Sequence, residues 1–222
     1  MDRVDPGATL ARVREAHDRR QATEADRRVP SDGWEPDLTG VDMGMARARR
    51  WSAVCPSKFL DATMDAVHRL HPPAGAAATA WAEHPRGRNL VVGGPVGVGK
   101  TYLALAAARL RHDAGEDVWF VPMVELLDAL RPNGDPAALS AAMDVDVLVL
   151  DDLGAERPTD WSAERLYAIV NRRWLEERPT VVTTNLAARE LRAEVGDRIY
   201  SRLMGDVVTI GLTGDDLRRR RP

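Results

Sequence analysis

Apolar and polar positions along this chain follow two rhythms, and the switch between them marks its elements. Short apolar runs occur at Asn89–Val92, Asp117–Val121, Val145–Leu150, Thr180–Thr184 and Val207–Ile210. Each suits a strand buried on both faces, as in a parallel sheet. Between them the apolar spacing becomes that of a helix. Lys100 to Asp113 places Leu103, Ala107 and Leu110 on one face and stops before Gly115, a fitting helix end. Trp161 to Glu177 places Leu166, Ile169, Val170 and Trp174 on one face, ahead of Pro179. Strands alternating with helices predict an α/β fold, a three-layer doubly wound parallel sheet of five strands with right-handed crossovers.

Residues 1–50 break this rhythm. They are crowded with arginines and acids and include the turn-rich stretch VPSDGWEPDLTGVDMG, residues 29–44. A helix over Thr9–Arg28 carries only a thin stripe (Leu10, Val13, Ala16), so the segment is expected to be partly disordered or to dock on a partner. The organisation expected is this segment followed by one domain over residues 51–222.

Composition then narrows the setting. The chain has 222 residues, a formal net charge of −3 and one cysteine, Cys55. The charge gives no global pull toward nucleic acid or membrane, and a lone thiol excludes an intramolecular disulfide or a multi-cysteine zinc site. Residue 2 onward is charged without an apolar run, and no stretch has the length of a membrane span. A cytoplasmic protein without membrane contact is expected. Lys58 and Lys100 are the only lysines among 31 basic residues, which singles out Lys100.

Lys100 stands in NLVVGGPVGVGKT, which holds the pattern G-x-x-x-x-G-K-T over Gly94, Pro95, Val96, Gly97, Val98, Gly99, Lys100 and Thr101; these residues and Tyr102 after them are the candidate nucleotide-binding residues. The pattern follows a predicted strand and opens a predicted helix, the context of a phosphate-binding loop. Gly97 and Gly99 permit the tight turn that aims backbone N–H groups at phosphates. Pro95 has no N–H, so the cradle comes from the residues after it. Lys100 is placed to reach the β- and γ-phosphates and the Thr101 hydroxyl to ligate Mg²⁺; ATP and Mg²⁺ are the implied cofactors. The bland alternative is a glycine-rich turn with a solvent-facing lysine.

Asp151 and Asp152 end the third run, where parallel sheets bind ligands. Asp151 is the candidate Mg²⁺-side carboxylate and Asp152 the group that orients the attacking water; otherwise they simply terminate a strand. Asn185 follows the fourth run, to hold that water or sense the γ-phosphate, or merely to make a turn. Arg198 and Arg202, four residues apart in GDRIYSRLMGD, share a helix face. One of them is a candidate arginine finger for a neighbouring subunit, a device worth about 10³–10⁵ in rate; the alternative is surface arginines on a short helix.

Taken together, GGPVGVGKT, VLVLDDLGAERPTDW, RLYAIVNRRW, TVVTTN and RIYSRLMGD resemble the DnaC-type helicase loaders and related IstB transposition helpers of the AAA+ class. The resemblance covers roughly Trp51 to Arg218. It implies a P-loop AAA+ sheet without a separate helical lid domain, with Asp151 and Asp152 as the Walker B pair, Asn185 as sensor 1 and Arg202 as the finger. CPSKFLDAT (Cys55–Thr63) resembles the strap that lies near the adenine, and GDDLR (Gly214–Arg218) the closing signature of the family. The activity implied is DNA- or partner-stimulated ATP hydrolysis in a homo-oligomer formed with ATP. The partners implied are a replicative DNA helicase and single-stranded DNA, or else a transposase. The Arg218–Arg221 cluster is either a DNA-phosphate contact or a solvated tail. A small-molecule P-loop kinase would need an acceptor pocket that nothing between Pro122 and Ala142 suggests, and a non-hydrolysing nucleotide switch is the remaining alternative.

Overall fold

The apolar runs become five strands: β1 (Asn89–Gly93), β2 (Val118–Pro122), β3 (Val147–Asp151), β4 (Thr180–Thr184) and β5 (Val207–Gly211). They belong to a computed structural model that describes residues 50–83, 88–155 and 159–220. The helix expected over Thr9–Arg28, like all residues before Arg50, lies outside the described residues, as does Arg221. All strand pairs are parallel, in the order β2-β3-β4-β1-β5. The third strand begins two residues later than the apolar run and extends to Asp151.

Strand alternation divides the interior into two layers. Leu90, Val92, Val118, Phe120, Val147, Val149 and Val181 face α1 (Met64–Leu70), α2 (Pro72–Ala82) and α3 (Lys100–Asp113). Val91, Trp119, Val121, Leu148, Leu150 and Val182 face α4 (Met123–Ala129), α5 (Ala138–Asp144), α6 (Asp160–Leu175), α7 (Ala188–Val195) and α8 (Asp197–Met204). The helix α3 is buried nearly all round, Leu103 through Ala108 being at most 1% exposed. It lies between the sheet and the alanine-rich α2, so its outer face needs apolar residues too.

From β1 the chain crosses to β2 through α3 on one face; the later crossovers use the other face. Neighbouring strands β1 and β4 therefore send their chains to opposite sides, and a crevice opens beyond their C-terminal ends.

One expected core position is corrected. Trp174 was placed on the buried face of α6, but it is half exposed, whereas Arg173 is 1% exposed. At about 100° per residue, Arg173 falls within about 20° of Leu166, inside the apolar face, and Trp174 lies about 80° away at its edge. Arg173 donates to the carbonyls of Ala142, Met143, Val145, Asp146 and Pro179 and to Thr180 Oγ1, at 2.6–3.3 Å. Burial pushes its pKa down to about 9. This ring of acceptors joins the end of α5 to the starts of β3 and β4. Arg173→Met should leave those buried carbonyls unmatched and lower the unfolding free energy in urea by about 3 kcal/mol or more. A loss under about 1 kcal/mol, the scale of a surface substitution, would contradict this role.

Candidate active site

The loop between β1 and α3 owes its shape to three glycines with positive φ. Gly94 (φ 149°) passes so close to the Leu212 carbonyl that a Cβ would lie 2.3 Å from its oxygen. Gly97 (φ 85°) leaves room for Asp216, and Gly99 (φ 99°) is the N-cap of α3. No side chain caps that helix and no acid stands in its first turn, so its N-terminal N–H groups and dipole suit an anion. Val98 anchors the loop in the core, while Pro95 and Val96 are exposed.

Lys100 leaves the first turn of α3 and is 7% exposed. Its Nζ donates to Asn185 Oδ1 at 2.5 Å and to the Pro95 carbonyl at 2.7 Å. Asn185 Nδ2 in turn donates to Asp152 Oδ1 at 2.6 Å. Burial pushes the lysine pKa down, against the opposing pull of Asp152 and Asp151. This chain of bonds joins the ends of β1, β4 and β3.

Asp151 ends β3. Its Oδ1 accepts from Thr101 Oγ1 at 2.8 Å and from Thr183 Oγ1 at 2.6 Å. Burial raises its pKa, partly offset by those two hydroxyls. Asp152 has φ 60°, a left-handed conformation that Asp tolerates better than most residues, and its N–H donates to Thr183 Oγ1 at 2.9 Å. The Thr101 hydroxyl and Asp151 carboxylate are adjacent hard oxygen donors of the kind Mg²⁺ takes beside substrate phosphates. Two oxygen donors are too few for a protein-only cage, so the pair would hold a metal only together with a phosphate ligand.

The IstB-like ATP-binding protein family model matches residues 74–221, spanning this loop, the acid pair and Asn185. The chain belongs to the IstB-like ATP-binding protein family. Its fold is the AAA+ P-loop α/β fold. This IstB-like chain is 29% identical to the insertion sequence IS21 ATP-binding protein of Pseudomonas aeruginosa over 142 residues, covering 60% of the chain and 53% of that protein. It is 24% identical to the replicative helicase loader DnaC of Escherichia coli strain K12 over 139 residues, covering 60% and 57%. The crystal structure of DnaI superposes with a TM-score of 0.66 at 27% identity, over 76% of the chain and 98% of that structure. The chain thus spans about half the length of the curated relatives it matches. No helix among the described residues is long and apolar enough to cross a membrane.

The two arginines of the IstB-like chain stand apart from this cluster. Arg202 donates to Asn171 Oδ1 (2.7 Å) and Tyr167 OH (3.3 Å) and stacks over Tyr167 and Trp174, with ring distances of 5.0 and 5.4 Å. Its carbonyl accepts from Asn89 at the start of β1, so about 13 Å of strand separates it from the phosphate loop. Arg198, one turn earlier, is exposed, and its guanidinium has no hydrogen-bond or ion-pair partner among the described residues. Tyr102 faces the strap instead of the loop. Its hydroxyl donates to the Asp61 carbonyl (3.0 Å) and accepts from Thr63 N (3.3 Å), and Arg109 donates to Leu60 O (3.2 Å). Cys55, within that strap, is buried and its pKa is pushed up to about 12, which makes it a packing group.

The sequence reading missed two features of the site. One is Thr183, which touches both acids. The other is where the Gly214–Arg218 signature packs, against the phosphate loop: Leu217 N donates to the Gly97 carbonyl at 3.0 Å and Asp216 Oδ1 accepts from Arg218 N at 3.0 Å. A Cβ on Gly97 would lie 2.0 Å from that Asp216 oxygen. Gly97→Ala should therefore lift the segment and speed tryptic cleavage after Arg218 several-fold; an unchanged rate would contradict the close packing. Asp151 allows a second prediction. Its raised pKa means that the ionised carboxylate costs folding stability above the carboxylate range, and that the cost fades in acid as Asp151 takes up a proton. Asp151→Asn should raise the thermal midpoint in EDTA at neutral pH by a few degrees, with the gain vanishing at low pH. An equal or lower midpoint at neutral pH would refute it.

Proposed function

We propose that this chain is an ATP-hydrolysing helicase loader that binds ATP with Mg²⁺ and single-stranded DNA and delivers a replicative helicase to DNA. The observation that carries the hydrolytic part is the Lys100–Asn185–Asp152 hydrogen-bonded chain beside the Thr101–Asp151 pair. Lys100 and the N–H groups after Pro95 hold the β- and γ-phosphates. Thr101 and Asp151 hold Mg²⁺, which supplies charge neutralisation on the phosphate oxygens. Asp152 polarises the attacking water, and Asn185, already bonded to both Lys100 and Asp152, orients that water against the γ-phosphate. A water-directed Asp-Asn pair suits hydrolysis better than transfer to a metabolite hydroxyl.

Arg202 lies at the opposite end of β1 from its own loop, so its service as a finger requires a neighbouring copy and an ATP-bound homo-oligomer. The likeness to a relative named a replicative helicase loader supports the loader reading. A second reading, an ATP-binding helper of a transposase, is favoured by the family description and the IS21 relative.

Asp152→Asn should retain ATP binding and lose turnover at least about a hundredfold in the presence of DNA and partner. Unchanged turnover would remove Asp152 from the reaction. Mixing Lys100→Ala with Arg202→Ala chains should restore activity that neither has alone, and no rescue would contradict action in trans. Affinity purification of the tagged full chain from its native cells decides the output. Recovery of a replicative helicase supports the loader, and recovery of a transposase overturns it in favour of the second reading.

A further inference from the structure

We propose that Thr183 is a positioning residue for the metal side of this site, its one hydroxyl setting both the Asp151 carboxylate and the turn at Asp152. The inference rests on the reading of Asp151 as the Mg²⁺-side acid. Thr183 lies in β4 opposite the end of β3, next to Val92 of β1 in register, and is 1% exposed. Strand alternation puts it on the same face as Val181, toward α3 and Thr101. An apolar residue would satisfy packing there, and a buried hydroxyl is costly unless bonded.

Both of its bonds go to the acid pair. A hydroxyl has one hydrogen to give, and the Asp152 N–H is itself a donor, so the directions are fixed. The Thr183 hydrogen goes to Asp151 Oδ1 at 2.6 Å, and its oxygen accepts Asp152 N at 2.9 Å. The Thr183 carbonyl also accepts Leu153 N at 2.9 Å, which clamps the chain on the far side of the left-handed Asp152. Thr101 donates to the same Asp151 oxygen, yet its hydroxyl oxygen is also the predicted metal donor. Thr183 has no second task of that kind. Its hydroxyl serves the two acids alone, and it ties the position of the metal-side acid to that of the water-directing acid.

The test is equilibrium binding of a fluorescent ATP analogue to the full chain, titrated with Mg²⁺ and repeated in EDTA. Thr183→Val removes the hydroxyl with little change of shape, and Thr183→Ser retains it. The valine variant should match the wild type in EDTA but need about 10–100-fold more Mg²⁺ for half its effect, as loss of a group orienting a metal ligand does. The serine variant should follow the wild type. If the valine chain does not fold, Thr183→Ala carries the same expectation. Wild-type Mg²⁺ dependence in the valine or alanine variant would overturn the proposal, as would a serine variant as impaired as valine. A wild type whose nucleotide binding ignores Mg²⁺ would instead sink the metal reading of Asp151, and the role of Thr183 with it.

Discussion

A half-buried carboxylate at the end of a central strand needs hydrogen-bond donors, and Asp151 obtains its two from different elements. One is Thr101 at the start of α3 and the other is Thr183 in β4. Those bonds hold three chain segments in one register beyond the C-terminal edge of the sheet. The same register brings Lys100 within reach of Asn185, and Asn185 within reach of Asp152. Burial disfavours the charge on Lys100 and on Asp151 alike. The site is thus a strained polar cluster on a well-packed sheet, the usual balance between stability and function.

The opposite edge of the sheet supplies the rigidity that such a cluster needs. Arg173 is enclosed by six oxygen acceptors from the end of α5, the residues that lead into β3 and β4, and Thr180 of β4, which fixes where those strands begin. Because both strands are only five residues long, a shift at that edge would carry through to Asp151 and Asn185. Arg202 stacks on Tyr167 and Trp174 near the same edge, so α6 links the scaffold to the residue proposed to serve a neighbour.

The sheet was legible because buried parallel strands are short continuous apolar runs, and all five appear as such. Gly94 through Thr101 could be read because the pattern is local and its flanking strand and helix are local too. Asp151, Asp152 and Asn185 followed from strand ends, since chain order puts every C-terminal end on one edge. What escaped depends on contacts between distant segments. Nothing near Arg173 in sequence announces its carbonyl acceptors, although the helix period alone puts it inside the apolar face and Trp174 at its margin. Tyr102 follows the loop in sequence yet turns to the strap at Asp61 and Thr63. The packing of Asp216 and Leu217 on Gly97 joins the segment after β5 to the loop after β1, and Thr183 resembles any β-branched strand residue until its partners are in place.

The central claim is that β1, β3 and β4 end in one site for ATP and Mg²⁺. A crystal structure of the full chain with a non-hydrolysable ATP analogue and Mg²⁺ tests it most directly. The account predicts the triphosphate within the Gly94–Thr101 loop, Lys100 on its phosphate oxygens, and the metal against Thr101 on the Asp151 side. A triphosphate bound elsewhere, or one bound in the loop with its metal away from Thr101 and Asp151, would contradict the account.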